Sequence, residues 1–170
     1  MGTDYQKLID AETWAFIERT NAFYPEDTGE RTVAEQRAIY DRLCREFHAG
    51  YPDGVTAQTL SIPTSTHEIP IRIYRAGEPG AAVVVYFHGG GFILGGLESH
   101  DDVCAELCAR TGFDVVSVDY RLAPEHVHPA HFDDALSAFE WAANTYACPI
   151  LLCGDSAGGN LAAAVSHTTR

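Results

Sequence analysis

The stretch Pro149–Leu161, Pro-Ile-Leu-Leu-Cys-Gly-Asp-Ser-Ala-Gly-Gly-Asn-Leu, restricts the fold more than any other part of this chain. Its apolar run, Ile150 to Cys153, has the length and character of a buried strand. Asn160-Leu161-Ala162-Ala163-Ala164-Val165 reads as helix. Between them, Gly154-Asp155-Ser156-Ala157-Gly158 must turn the chain within a few residues. A strand, a G-x-S-x-G turn and a helix together form the setting in which a serine is presented on a strained backbone, a nucleophile elbow. Gly154 and Gly158, two before and two after Ser156, must be small so that strand and helix can approach each other. Strain of this kind costs about 1–3 kcal/mol and persists where a site needs it. The plainer alternative is a glycine-rich turn that happens to hold a serine, and the flanking strand and helix speak against it.

With 170 residues, 46% hydrophobic and 21% charged, the chain can bury the core of one domain. The 11 Lys and Arg against 24 Asp and Glu give a formal charge of −13, which argues against a phosphate-backbone partner. No nucleic acid is expected. The five cysteines, Cys44, Cys104, Cys108, Cys148 and Cys153, show no paired C-x-x-C spacing, and their odd number fits free thiols in a reducing compartment. Cys104 and Cys108, four apart on an expected helix, read as core. Met1-Gly2-Thr3-Asp4-Tyr5 has neither the basic nor the apolar part of a signal peptide. No apolar run approaches the roughly 18 residues of a membrane-spanning helix. A soluble, cytoplasmic protein is expected.

Taken in order, residues 1 to about 50 read as helical. Tyr5 to Thr20 is roughly amphipathic and ends near Pro25. Thr32-Val33-Ala34-Glu35 carries the T-x-x-E capping-box pattern, opening a helix in which Ile39, Tyr40, Leu43, Cys44 and Phe47 recur at helical spacing. These helices are either plain packing or a cap over a cleft. From Ala57 the period changes. Thr59–Pro63 and Ile69–Tyr74 read as two strands with a hairpin-like break, and Arg75–Gly80 as a polar turn. Ala82–Phe87 is a β-branched and aromatic run suited to a strand buried on both faces. A helix from Ser99 to Thr111 stops at Gly112, Val115–Val118 is the next strand, and Pro129 starts a helix through Ala143. Strands alternating with helices imply an α/β fold with a mostly parallel sheet.

His88-Gly89-Gly90-Gly91-Phe92 follows a central strand. Consecutive glycines expose backbone N–H groups that can hold a developing oxyanion, and losing one such donor costs about 2.7–4 kcal/mol in a transition state. A phosphate loop also uses glycines but ends in Gly-Lys-Ser/Thr, where Phe92-Ile93-Leu94 stands here. Paired with the serine turn, the glycine loop reads as an oxyanion hole of Gly89, Gly90 and Gly91 with Ala157. The donors would be the Gly90, Gly91 and Ala157 amides. His88 is expected to anchor the loop through its ring, and Asp155, Gly154 and Gly158 to support the turn. A chymotrypsin-like reading of Gly-Asp-Ser fails because that fold is all-β and a helix follows directly here. The cluster Glu125, His126, His128 and His131 with Asp133 and Asp134 is interrupted by Pro129 and supplies no defined fourth ligand, so no metal is expected.

The combination of His88-Gly89-Gly90-Gly91-Phe92, Asp119-Tyr120-Arg121-Leu122-Ala123-Pro124-Glu125 and Gly154-Asp155-Ser156-Ala157-Gly158-Gly159 resembles the hormone-sensitive-lipase-like esterases of the α/β-hydrolase fold. Thr32-Val33-Ala34-Glu35-Gln36-Arg37 is similar to the bacterial acetyl-esterase branch. The resemblance runs from about Val33 to Leu161. It implies hydrolysis of short-acyl carboxylic esters, a helical cap over the acyl pocket and no cofactor. Val127-His128 departs from that family's usual proline-aromatic pair.

A serine nucleophile needs a general base oriented by a carboxylate, and in α/β-hydrolases both follow the serine. After Ser156 the chain has 14 residues, no Asp or Glu, and one histidine, His167. Eleven residues of helix separate His167 from Ser156 by about 16 Å, beyond hydrogen-bond reach. A parallel sheet stopping at the serine strand also leaves an apolar edge. The expectation is therefore the N-terminal part of an α/β-hydrolase: cap segment 1–50, then residues 51–170 as the N-terminal half of the core. The expected partners are a small-molecule ester, the C-terminal remainder (missing by truncation, or a separate chain after cleavage at Arg170) and, in a homodimer, a second copy. The alternative is a non-catalytic small-molecule binder on the same fold.

Overall fold

The computed structural model describes residues 5–78 and 80–170; Met1–Asp4 of the expected N-terminal segment and Pro79 of the expected Arg75–Gly80 turn lie outside them. The helical start splits at Asp10, whose carboxylate caps helix α1 (Ala11–Asn21) by accepting the Thr13 N–H. The Tyr5–Thr20 segment is thus not one continuous helix, because that cap fixes a start at Ala11. Tyr5–Lys7 forms only a short turn. Helix α2 (Val33–Phe47) opens on the full capping box, with Thr32 Oγ1 accepting the Glu35 N–H and Glu35 accepting the Thr32 N–H. Such a cap contributes about 1 kcal/mol. Ile39 and Leu43 are its buried residues, while α1 has none. Side-chain contacts hold α1 to α2: Phe16 lies 5.1 Å from Phe47, and Arg19 pairs with Glu46 and stands over the Phe47 ring.

Strands β1 (Val55–Pro63) and β2 (Glu68–Ala76) pair antiparallel across the four residues 64–67, and both extend beyond the spans read from the sequence. Four residues are too few for a crossover, so antiparallel pairing is forced there. Strand β3 (Val83–Phe87), helix α3 (Asp101–Thr111), strand β4 (Asp114–Val118), helix α4 (Ala130–Thr145), strand β5 (Ile150–Gly154) and helix α5 (Ala157–Thr168) complete the order. The sheet runs β1-β2-β4-β3-β5. Parallel pairing is confined to β4-β3-β5, with β2 antiparallel to β4. The sheet is therefore mixed, and the expectation of mostly parallel pairing holds for its β3 half only.

All five residues of β3 are buried, and their alternation divides the core. Val83, Val85 and Phe87 join Ile69, Ile71 and Ile73 under α4 and α5, where Ala135, Ala138, Ala142, Leu161 and Val165 pack. Val84 and Tyr86 face the other way, onto Cys104, Ala105 and Cys108 of α3. The two cysteines read as core are fully buried, and all five cysteines are free thiols. Gly112, left-handed at φ 67°, closes α3. Among the described residues no helix is long and apolar enough to cross a membrane.

Candidate active site

The loop after β3 and the turn after β5 leave neighbouring strands at the same end of the sheet, since Phe87 pairs in register with Gly154. Ser156, between β5 and α5, adopts φ 50° and ψ −116°, a left-handed backbone that a non-glycine residue avoids. Two short bonds make the turn tight: the Asp155 carbonyl accepts the Gly158 N–H at 2.8 Å and the Gly159 N–H at 3.2 Å. The glycines two places either side of Ser156 are required by crowding. A methyl group on Gly154 would lie 2.5 Å from the carbonyl carbon of Gly158 and 2.5 Å from the Phe87 carbonyl oxygen, and one on Gly158 would clash with that same oxygen.

The glycine loop is held at several points. The Tyr120 hydroxyl donates to the His88 carbonyl at 2.6 Å, and the Tyr120 ring stacks on His88 at 4.3 Å. His88 Nδ1–H donates to the Gly89 carbonyl at 2.7 Å. Burial holds the His88 imidazole down at about 4, so it is neutral near pH 7. Further on, Gly90 accepts the Ile93 and Leu94 N–H groups, and Phe92 accepts the Ala123 N–H. Gly90 stands at φ 118°, with no room for a methyl group against the Leu94 carbonyl.

One side chain joins the two turns. Asp155 Oδ1 accepts the Gly89 N–H at 2.8 Å and the Tyr86 hydroxyl at 3.0 Å, and lies 3.2 Å from His100 Nε2. Among the described residues the Gly90, Gly91 and Ala157 N–H groups have no hydrogen-bond acceptor. The arrangement therefore offers unused backbone donors beside a serine at the N-terminus of a helix, the chemistry that stabilises a negative oxygen. His88, Gly89, Gly90, Gly91, Gly154, Asp155, Ser156, Ala157 and Gly158 are brought into this one neighbourhood. His167 sits near the far end of α5.

The acidic and histidine cluster disperses. Glu125 pairs with Arg37 at 2.8 Å, Asp134 binds Arg121 and His67, and His131 stacks on Phe92 at 4.6 Å with His128 beside it. Burial and His128 hold His131 below the usual imidazole range. Among the described residues no group of three or more His, Cys, Asp or Glu is placed to hold a metal.

Arg37 also ties α2 to this end of the sheet, donating to the Ile93 and Ala123 carbonyls at 2.8 and 3.0 Å. Arg37, Tyr86, His100 and Tyr120 are the side chains that sequence reasoning did not assign to the site. Tyr86 reads as one more apolar strand residue and His100 as a helix start, and their partners lie far away in sequence.

A protein family described as the alpha/beta hydrolase fold matches residues 84–170. The carboxylic ester hydrolase LipN of Mycobacterium tuberculosis is 45% identical over 146 residues, covering 81% of this chain and 39% of the relative. The ethyl acetate hydrolase of Pseudomonas putida is 36% identical over 129 residues, covering 70% of this chain and 40% of the relative. Among solved structures, a hyperthermophilic esterase from the archaeon Pyrobaculum calidifontis superposes with a TM-score of 0.86 at 35% identity, covering 95% of this chain and 54% of its own. The chain thus spans about two fifths of the curated relatives' length and about half of that solved structure's.

Proposed function

This chain belongs to the α/β-hydrolase fold family, and from that premise we propose that the whole protein hydrolyses short-acyl carboxylic esters with Ser156 as nucleophile. Ser156 Oγ attacks the acyl carbonyl while the Gly90, Gly91 and Ala157 amides hold the oxyanion. Collapse of that intermediate expels the alcohol and leaves an acyl-enzyme, which water then hydrolyses. The observation that carries the reading is the Asp155 bridge: the residue before Ser156 binds the Gly89 N–H, fastening donor loop and serine turn together. The names of the Mycobacterium and Pseudomonas relatives support the ester class, and the latter supports a short acyl group.

The base that accepts the serine proton, and the carboxylate that orients it, come in this proposal from the C-terminal part of the protein. Supporting this, α5 runs unbroken through His167, placing that residue about 16 Å along the helix from Ser156 at 1.5 Å per residue. Among the described residues strand β5 pairs with β3 on one side only, and Leu151 is 44% exposed on an apolar strand, an edge suited to further strands. Helix α2, pinned by Arg37 beside the glycine loop, serves as part of a cap over the acyl pocket. A reducing, cytoplasmic setting fits the five free cysteines.

The test is p-nitrophenyl acetate turnover by the full-length protein beside Ser156→Ala. The variant should lose at least about 10⁴-fold in kcat. Equal rates would reject the esterase reading.

A further inference from the structure

His100 immediately precedes α3, and its carbonyl accepts the Cys104 N–H at 3.0 Å, so its backbone is set by a helix packed on the sheet. Its side chain is buried, between the rings of Tyr86 and His88 at 6.1 and 5.8 Å. A buried imidazole is costly unless both nitrogens find partners. Here they do: Nε2 lies 3.2 Å from Asp155 Oδ1, and Nδ1 2.8 Å from Ser99 Oγ. The Ser99 hydroxyl also stands 3.0 Å from the Gly96 carbonyl, so its one proton has two acceptors in reach, Gly96 O and His100 Nδ1. The Ser99 oxygen in turn accepts the Gly96 N–H at 3.0 Å.

These contacts form a continuous chain. Gly89 N–H donates to Asp155, Asp155 Oδ1 stands 3.2 Å from His100 Nε2, His100 Nδ1 lies 2.8 Å from Ser99 Oγ, and Ser99 accepts from Gly96 N–H. Gly89 and Gly96 are the two ends of the donor loop, and Asp155 directly precedes Ser156. The geometry points to His100 as a positioning residue: it closes this ring, and so sets where the free Gly90 and Gly91 amides stand relative to Ser156. The inference rests on the esterase reading for its catalytic consequence, because the position of the amides matters to the rate only when an oxyanion has to be held.

Three groups from three elements surround Asp155 Oδ1: the Tyr86 hydroxyl from β3 and the Gly89 N–H from the loop donate to it, and His100 Nε2 from the start of α3 lies 3.2 Å away. Without His100 the carboxylate keeps two donors that both belong to the β3 side, and it can swing with the loop. The competing view is that His100 merely fills space. Leucine keeps the bulk without a donor, whereas glutamine keeps an N–H near the position of Nε2.

The test uses the full-length protein and its His100→Leu and His100→Gln variants. Kinetics on p-nitrophenyl acetate are read alongside hydrogen exchange of the Gly89 amide by NMR. His100→Leu should lower kcat by about 10- to 100-fold, the scale of a misplacement near 1 Å, with KM within about twofold. Its Gly89 amide should exchange about tenfold faster as the loop opens more often. His100→Gln should recover most of both. If His100→Leu does not fold, Ser99→Ala replaces it, because losing the hydroxyl that links Gly96 to His100 should weaken the same amide's protection. A leucine variant with wild-type kcat and Gly89 protection overturns the proposal, and so does a glutamine variant as impaired as leucine at unchanged melting temperature. Should wild type and Ser156→Ala turn over ester equally, the esterase reading fails while Gly89 exchange still judges His100.

Discussion

The turn after β5 and the loop after β3 leave paired strands side by side, yet they treat their backbone donors in opposite ways. In the serine turn, Gly158 and Gly159 both bond the Asp155 carbonyl and Asn160 bonds Ser156, so the turn closes on itself and leaves Ala157 free. In the glycine loop the carbonyls are occupied by Tyr120, His88, Ile93, Leu94 and Ala123, while the Gly90 and Gly91 amides are left open. One turn is built to hold a strained residue, and the other to keep donors unused. The contrast teaches that glycine does different work in the two. Around Ser156 it makes room for neighbouring backbone, whereas at Gly90 it makes room for the Leu94 carbonyl and also permits a φ that side chains avoid.

The largest effect should come from filling the serine turn. A methyl group on Gly158 meets the Phe87 carbonyl oxygen, with the His88 carbonyl oxygen 2.7 Å away. Both belong to buried backbone that cannot step aside, so Gly158→Ala should destabilise by about 3 kcal/mol or more. Thermal melts measure it, and a variant melting within a degree or two of wild type would show that the strand–helix approach is looser than the structure has it. Gly90→Ala should act on the other side of the comparison. Forcing φ 118° on alanine costs about 1–3 kcal/mol, and the clash of its methyl with the Leu94 carbonyl adds to that. Its main effect should be on turnover, with kcat lower by about 100- to 1,000-fold and KM little changed as the donors rotate away. A KM effect without a kcat effect would remove these amides from the proposed oxyanion role.

Both motifs were legible in the sequence because each is local: Gly-Asp-Ser-Ala-Gly needs only the strand and helix beside it, and His-Gly-Gly-Gly only the run before it. The βα order and the double burial of β3 were legible for the same reason. Sheet order was not, because β4 lying between β2 and β3 depends on pairings between residues far apart in the chain. The same holds for the chain of contacts through Asp155, whose partners Tyr86 and Gly89 lie 69 and 66 residues away. The start of α1 was missed for a smaller reason: Asp10 caps it through Thr13, without the glutamate that marks a full capping box.

A pH series sharpens the comparison on the loop side. A methyl group on Gly96, at the far end of the loop, would lie 3.0 Å from Asp119 Oδ1, and burial pushes that carboxyl up to about 6. Folded protein therefore binds more protons at Asp119 than unfolded chain between about pH 4 and 6, so this contribution to stability falls as pH rises through that range. His88, held down at about 4 against 6.5, has the opposite sign: its contribution is complete above 6.5 and lost as pH falls towards 4. The two oppose each other in the wild type. Asp119→Asn should raise stability at pH 8 by about 3 kcal/mol, leave it nearly unchanged near pH 3.5 and steepen the loss on acidification. A difference that is the same at both pH values would break the assignment.

The smallest effect expected is at Tyr120, where one atom separates stacking from hydrogen bonding. Tyr120→Phe keeps the ring stacked on His88 at 4.3 Å and removes only the 2.6 Å bond to the His88 carbonyl. That bond is buried, so the carbonyl is left without this donor at a cost of about 1 kcal/mol. The Gly89 peptide keeps its two other holds, Asp155 on the N–H and His88 Nδ1 on the carbonyl. Turnover should therefore move far less than in Gly90→Ala, and the loss should appear as a lower denaturant midpoint at unchanged m-value. A kcat loss as large as that of Gly90→Ala would mean that Tyr120, rather than Asp155, sets the position of the donor loop.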